Sequence, residues 1–269
     1  MGTLARDFGD ALATHKRELL TVVFICYAPA LAADVLLTLT GSLPTVESAA
    51  SMAVGSEAWW ATMGVSLLAM AGVSFGVGAG LLVVLRGLTP RSATRASLKR
   101  WGGVLSIDLA GFLSLLGLAI PAMILIAIGT LVLGSDAREQ VTPVVYAVGV
   151  IMFVPAVRTV LSLATAFAAM TVEGLRLRPA LVRADELLKG NRLVAGVFFG
   201  GVVLVVNGLP TLAVQASGVR ADGLVVGVVI MLVHLVAICL ETTALAVTYR
   251  ALVGKERGAS DGNLAEVFE

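Results

Sequence analysis

Long apolar stretches alternate with short polar segments along the whole chain, and this alternation predicts transmembrane helices. A hydrocarbon core about 30 Å thick requires about 20 apolar residues per helix, and each stretch reaches that length. Barrel strands would be shorter and would alternate between apolar and polar residues, so the pattern predicts a helical bundle. The six stretches are Leu19–Thr40, Thr62–Leu85, Val104–Leu133, Val144–Val172, Leu193–Gln215 and Leu224–Tyr249.

Three of the polar segments are amphipathic and lead into odd-numbered stretches. In the first, apolar residues from Phe8 to Leu19 recur at helical spacing. Pro90 marks the start of the second, and Pro179 and Gly190 mark the start and the stop of the third. Each segment is predicted to form a short helix that lies in the membrane interface and leads into the next span.

The amphipathic segments also predict an internal repeat. Small and apolar residues precede a basic residue in all three, and Leu12, Leu98 and Leu187 are 86 and 89 residues apart. We therefore predict an all-α integral membrane protein with six transmembrane helices in one domain, 1–269, built from three repeats of an interfacial helix plus a transmembrane hairpin. The suggested repeats are 1–85, 86–172 and 173–250, and 251–269 is a short cytoplasmic tail.

The start of the chain allows a second interpretation. Leu19–Ala33 has the character of a signal-peptide core, and Ala30 to Ala32 resembles a cleavage site. The preceding segment, however, is long and carries acidic residues, and apolar residues continue to Leu39. These features favour a first helix that is retained.

Composition and charge placement agree with the membrane class. The mean hydropathy is +0.97, with 58% apolar and 14% charged residues, which is outside the range of soluble proteins. Of 19 Lys and Arg residues, sixteen lie in the first, third, fifth and seventh polar segments and two in the others. The positive-inside rule places the basic side in the cytoplasm, so we expect a multi-pass protein of the cell (inner) membrane with both termini cytoplasmic. Anionic lipid headgroups suit this basic face, and nucleic acid need not be invoked.

No residue pattern indicates catalysis. The sequence lacks a phosphate-binding loop, a His-Glu-x-x-His motif and a nucleophile elbow. Cys26 and Cys239 both fall inside predicted spans and make no metal site. We therefore predict no enzyme activity, no catalytic residues, no cofactor and no bound metal.

Five polar residues within the spans form a candidate intramembrane layer. Asp34, Arg158, Asn207 and His234 each lie fourteen or fifteen residues from the cytoplasmic end of their span, about 21–22 Å deep. Glu241 is on the same helix face as His234, two turns away. Asp34 and Arg158 are the obvious ion pair. The layer is interpreted either as a buried lock between helices or as a substrate or proton site.

Asp108 lies close to the inner interface, near the start of the third apolar stretch. We expect its carboxylate to meet basic residues of the preceding polar segment, such as Arg100.

Two glycine faces predict close helix packing. Gly72, Gly76 and Gly80 recur every fourth residue in the second span, and Gly196 and Gly200 do so in the fifth. Helices without side chains on one face approach closely, which is how helices associate in lipid.

The stretch from Val154 to Phe198 carries a set of polar, proline and glycine residues in a characteristic order: Pro155, Arg158, Glu173, Gly174, Lys189 and Gly190. Over about 45 residues this stretch resembles the YciC-like inner-membrane proteins and the membrane domain that precedes some glycerophosphoryl diester phosphodiesterase domains. Ala156 replaces the glycine of the proline-glycine pair in their shared pattern. The resemblance implies six membrane helices and carries over no catalytic residues, and the phosphodiesterase barrel is absent.

Two function classes follow from these observations. One is a structural, assembly or accessory subunit of an envelope or transport system, with the bilayer, a membrane-protein partner or a second copy of the chain as its contacts. The other is a small transporter or permeation pathway lined by the polar layer.

Overall fold

The described part of the molecule is helical throughout. The computed structural model describes the backbone of residues 2–39, 56–133, 138–217 and 224–267; side chains are described over 2–33, 35–36, 56–114, 116–117, 120, 124, 155–206, 208 and 232–256. These backbone ranges contain eight helices and no strand. The helices are α1 (Gly2–Leu39), α2 (Glu57–Arg86), α3 (Pro90–Lys99), α4 (Trp101–Leu133), α5 (Arg138–Glu173), α6 (Leu177–Leu188), α7 (Arg192–Ser217) and α8 (Leu224–Val267).

The described residues of each predicted apolar stretch lie in a single helix, which confirms the all-helical prediction. Three described helical segments are long and apolar enough to cross a bilayer: Glu57–Arg86, Pro155–Glu173 and Leu232–Glu256. A fourth is added if α6 and the first part of α7, which are bent by 107° at the short turn between them, are counted as one broken span. The helices are thus those expected of a membrane protein.

Two of the three amphipathic helices are confirmed as separate elements. Thr89 is extended, with ψ of 151°, and α3 begins at the following proline. α6 begins at Leu177, two residues before the proline that was predicted to open it. Gly190 follows its end in the left-handed conformation, with φ of 77°, which is the usual glycine signal for a helix stop.

The first amphipathic segment does not form a separate helix, so this prediction is wrong. α1 continues without a break from Gly2 to Leu39, and only Pro29 interrupts its hydrogen-bonding pattern. The reason is local: no glycine or proline occurs between Asp10 and Ala28, so nothing stops the helix before the apolar stretch begins.

The core of the bundle lies around the last third of α2 and the middle of α8. In α2 the seven consecutive residues 78–84 are all buried, and in α8 the eight residues 242–249 are all buried. α2 packs on α1, α8, α3 and α5, so it is the central helix of the described bundle. α3 is held against α2 by Ala93 and Ser97, both almost fully buried. The Ser97 hydroxyl donates to the Phe75 carbonyl at 3.2 Å.

The glycine face of α2 packs as predicted. A Cβ atom added to Gly72 would lie 2.8 Å from the Cys26 carbonyl oxygen of α1. One added to Gly80 would lie 2.6 Å from the Thr242 side chain of α8. These distances are shorter than van der Waals contact, so α2 approaches both neighbours as closely as its glycines permit.

The glycine face predicted for the fifth span does not bring helices together. A Cβ added to Gly200 would meet no described atom within 4 Å, and one at Gly196 would make an ordinary contact with Leu161 at 3.7 Å. α7 instead enters the core through the buried side chains of Ala195 and Phe199.

Candidate functional site

Only three of the five residues of the predicted polar layer have described side chains. Arg158 and His234 are exposed and Glu241 is half-buried, whereas the side chains of Asp34 and Asn207 lie outside the described residues. α1 packs mainly on α2 and α8, and α5 packs mainly on α4 and α6. The Asp34–Arg158 pair and the layer as a whole therefore stay predictions.

A groove-like cavity elsewhere in the bundle is open on one side and has two carboxylates in its lining. It has a volume of about 420 Å³ and is lined by residues of α2, α4, α5, α7 and α8. Most of its lining is apolar, and its polar side chains are Ser74, Asp108 and Glu241. Asp108 lies seven residues after Trp101, the first residue of α4, and Glu241 lies eight residues before Tyr249, the last residue of its predicted apolar stretch. The two carboxylates are thus about 10–12 Å along the helix from those residues.

Asp108 is the least satisfied group in this cavity. Its Oδ2 atom is buried and has no hydrogen-bond partner among the described residues, while the Ser74 hydroxyl is a hydrogen-bonding neighbour of the carboxylate. Burying a carboxylate oxygen without a hydrogen-bond partner costs free energy, so Asp108 does not add to the stability of the bundle through this atom. The sequence suggested that Asp108 meets Arg100; this is wrong, because Arg100 binds backbone carbonyls of α5.

Sequence reasoning did not pair Asp108 with Glu241. They lie on α4 and α8, far apart in the chain, and neither is part of a motif. The one sequence signal that they share is a similar distance from the basic polar segments. Counting residues along the spans instead predicts the deeper layer that contains Asp34 and Arg158.

A second polar cluster, the basic-end joint, consists of Glu173, Arg183, Tyr249 and Glu256. The Arg183 guanidinium donates two parallel hydrogen bonds to Glu256, each 2.6 Å long, and its Nε lies 3.5 Å from Glu173. The Tyr249 hydroxyl donates to Glu173. The joint thereby connects the end of α5, the middle of α6 and the second half of α8 by charge-assisted hydrogen bonds.

The electrostatics of the joint favour the charged form of Arg183. The pKa of Arg183 is raised above its ordinary value, first by the hydrogen bonds to Glu256 and then by the charge of Glu173, while partial burial acts in the opposite direction. Arg183 is 23% exposed and Glu256 is 44% exposed, so solvent screens part of this attraction.

Three more arginines bind helix C-termini at the same end. Arg86 donates to the Val172 carbonyl, Arg100 to the carbonyls of Met170 (3.2 Å) and Thr171, and Arg250 to the Val84 carbonyl at 3.3 Å. The last carbonyls of a helix lack intrahelical partners and carry partial negative charge, so cations stabilise them.

The turn after α5 depends on a glycine. Gly174 has φ of 80°, a conformation that other residues rarely adopt. A Cβ at this position would also lie 3.3 Å from Arg100 Nη2, which is a tight contact, so the missing side chain leaves room for the guanidinium at the helix end. Glu173 therefore anchors the joint, and Gly174 leaves room for the Arg100 guanidinium at the end of α5.

Comparisons with known protein families, curated proteins and solved structures give no match. The superfamily resemblance of residues 154–198 therefore stays a prediction. Within the described side chains, no group of three or more His, Cys, Asp or Glu residues is placed to hold a metal ion.

Proposed function

We propose that this protein is a non-enzymatic polytopic inner-membrane protein that serves as a structural, assembly or accessory subunit of an envelope or transport system. The observation that carries the proposal is the basic-end joint together with the arginine-capped helix ends. Because these polar groups hydrogen-bond to one another, they hold the helices in a fixed arrangement. Few of them remain available to react with a substrate. A rigid apolar frame of this kind suits the binding of a membrane partner or a second copy.

The same proposal includes six transmembrane helices with both termini in the cytoplasm. It is supported by the six apolar stretches, each of which lies in one helix, and by the sixteen basic residues on one side. The 107° bend between α6 and α7 is the geometry expected where an interfacial helix meets a spanning one.

Cysteine labelling tests this topology. With Cys26 and Cys239 replaced by alanine, single cysteines at Ser48 and Ser135 should react with an impermeant thiol reagent in intact cells. Single cysteines at Ser92 and Arg178 should react only after permeabilisation. Arg178 is chosen because it is exposed, whereas the nearby Ala180 is fully buried. Labelling of position 92 in intact cells contradicts the proposed orientation.

The accessory role is tested by isolating the protein from its native membrane. A tagged full-length chain, extracted in mild detergent, should retain a stoichiometric membrane-protein partner or a second copy of itself. The purified chain alone in liposomes should move no solute. Solute movement by the purified chain excludes the accessory role and supports the next candidate.

The carboxylate-lined cavity favours a second candidate, a small transporter or permeation pathway. Its volume of about 420 Å³ holds a small ion or solute, and Asp108 and Glu241 supply negative charge inside an apolar lining. If the cavity carries protons or cations, Asp108→Asn should reduce flux into liposomes at least about tenfold, because the charged group is lost. Asp10→Asn, which changes an exposed carboxylate of α1, is the control and should leave the flux unchanged. Equal flux in the parent and Asp108→Asn rules out this pathway.

A further inference from the structure

Helix α3 carries a row of cations that form no ion pair or hydrogen bond within the described bundle. Arg91, Arg95 and Lys99 follow one another at intervals of four residues, so they lie on one face of the helix, and all three are exposed. Among the described residues, none of them has an ion-pair or hydrogen-bond partner. This distinguishes them from Arg100 and Arg183, which bond within the bundle.

An apolar groove runs beside this row. An open groove of about 700 Å³ lies between α3 and α1, lined by the three cations together with Ile25, Thr94 and Leu98. Ile25 is 48% exposed and Leu98 is 50% exposed, so both present bare apolar surface next to positive charge. A ligand that matches this groove has an anionic end and a hydrocarbon end.

The start of α3 adds hydrogen-bonding groups to the same row. A second groove of about 320 Å³ shares the three cations and is also lined by the hydroxyl residues Thr89 and Ser92. Their hydroxyls lie 2.9 Å apart, and Thr89 makes no side-chain hydrogen bond to the backbone N–H groups of the first turn. The positive end of the helix is therefore open to an anion as well.

We propose that α3 and the adjoining face of α1 form a binding site for one anionic phospholipid. The phosphate headgroup lies against Arg91, Arg95 and Lys99, and an acyl chain follows Ile25 and Leu98. The buried Ala93 and Ser97 hold α3 against α2, so the site is rigid and preorganised. The proposal requires that α3 lies at the membrane surface, but it is independent of whether the protein is an accessory subunit or a transporter.

The test measures lipid binding to the purified full-length chain by native mass spectrometry. Phosphatidylglycerol and phosphatidylcholine with the same acyl chains are titrated into the parent and into the triple variant Arg91→Ala/Arg95→Ala/Lys99→Ala. The matched control is Arg176→Ala/Arg178→Ala/Lys189→Ala, which removes the same charge from exposed positions in and beside α6. We expect the parent and the control to prefer phosphatidylglycerol, and the α3 variant to bind it at least about tenfold more weakly. Equal losses in both triple variants overturn the proposal, because they indicate general surface charge.

Two further variants distinguish the binding of a lipid from the binding of a free anion and from a loss of binding caused by misfolding. Ile25→Ser/Leu98→Ser should weaken phosphatidylglycerol binding but leave the binding of inorganic phosphate unchanged. If these substitutions have no effect and inorganic phosphate displaces the lipid at equal concentration, the site holds a free anion and the proposal is wrong. Arg91→Lys/Arg95→Lys keeps the charge and should keep the lipid preference; loss of the preference in this variant also contradicts the proposal.

Discussion

Gly72→Ala should lower the thermal unfolding temperature of the protein in detergent, with a loss of about 1–3 kcal/mol in the free energy of unfolding. The added Cβ would lie 2.8 Å from the Cys26 carbonyl oxygen and 3.3 Å from the Tyr27 Cα. Both are backbone atoms of α1, so they cannot rotate aside as a side chain would. α1 must move away from α2, and contacts along the whole interface weaken with it.

Gly64→Ala is the matched control for this experiment. Gly64 lies in the same helix, and a Cβ added there would meet no described atom within 4 Å. Alanine is the better helix former by roughly 0.5–1 kcal/mol, so this variant should unfold at the same temperature as the parent or slightly higher. Equal unfolding temperatures for the Gly72 and Gly64 variants would show that α1 and α2 do not pack through this face.

Arg183→Met should destabilise the protein by about 1–2 kcal/mol, measured in the same way. The substitution removes the guanidinium that binds Glu256 and Glu173 and leaves two carboxylates near each other without their cation. This loss of stability is smaller than that for a buried ion pair, because both glutamates are partly exposed to solvent. Methionine retains the length of the side chain, so the loss reports mainly the charge and its hydrogen bonds.

Arg178→Met is the control, since Arg178 is an exposed arginine of the same helix. It should leave the unfolding temperature nearly unchanged. A double-mutant cycle with Glu173→Gln extends the test: if the joint is one unit, the two changes together should destabilise less than the sum of the single changes. Strictly additive losses would mean that Arg183 and Glu173 act independently and that the joint is not a unit.

The features that could be predicted from the sequence are those that lipid imposes on each helix separately. In a bilayer every backbone group must bond within its own segment, so a long apolar stretch is helical almost without regard to its neighbours. All six stretches accordingly lie in helices. The glycine face of Gly72, Gly76 and Gly80 was also visible in advance, because spacing along one helix defines its faces.

Local stop signals were similarly informative where they were present. Pro90 and Gly190 delimited α3 and α6 to within a few residues. In the first segment no glycine or proline occurs after Gly9 and before Pro29. The amphipathic pattern there predicts a separate helix, but α1 continues through the segment without a stop.

Contacts between helices could not be predicted from the sequence, because they depend on how the helices pack in the assembled bundle. Counting residues gives the depth of a side chain in the membrane, but it does not give the rotation of each helix about its axis or the order in which helices pack. Depth alone placed Asp108 near Arg100, whereas packing directs Asp108 into a cavity with Glu241 and Arg100 to the end of α5. The same two unknowns explain why Gly200, despite its spacing, packs against nothing in the described bundle.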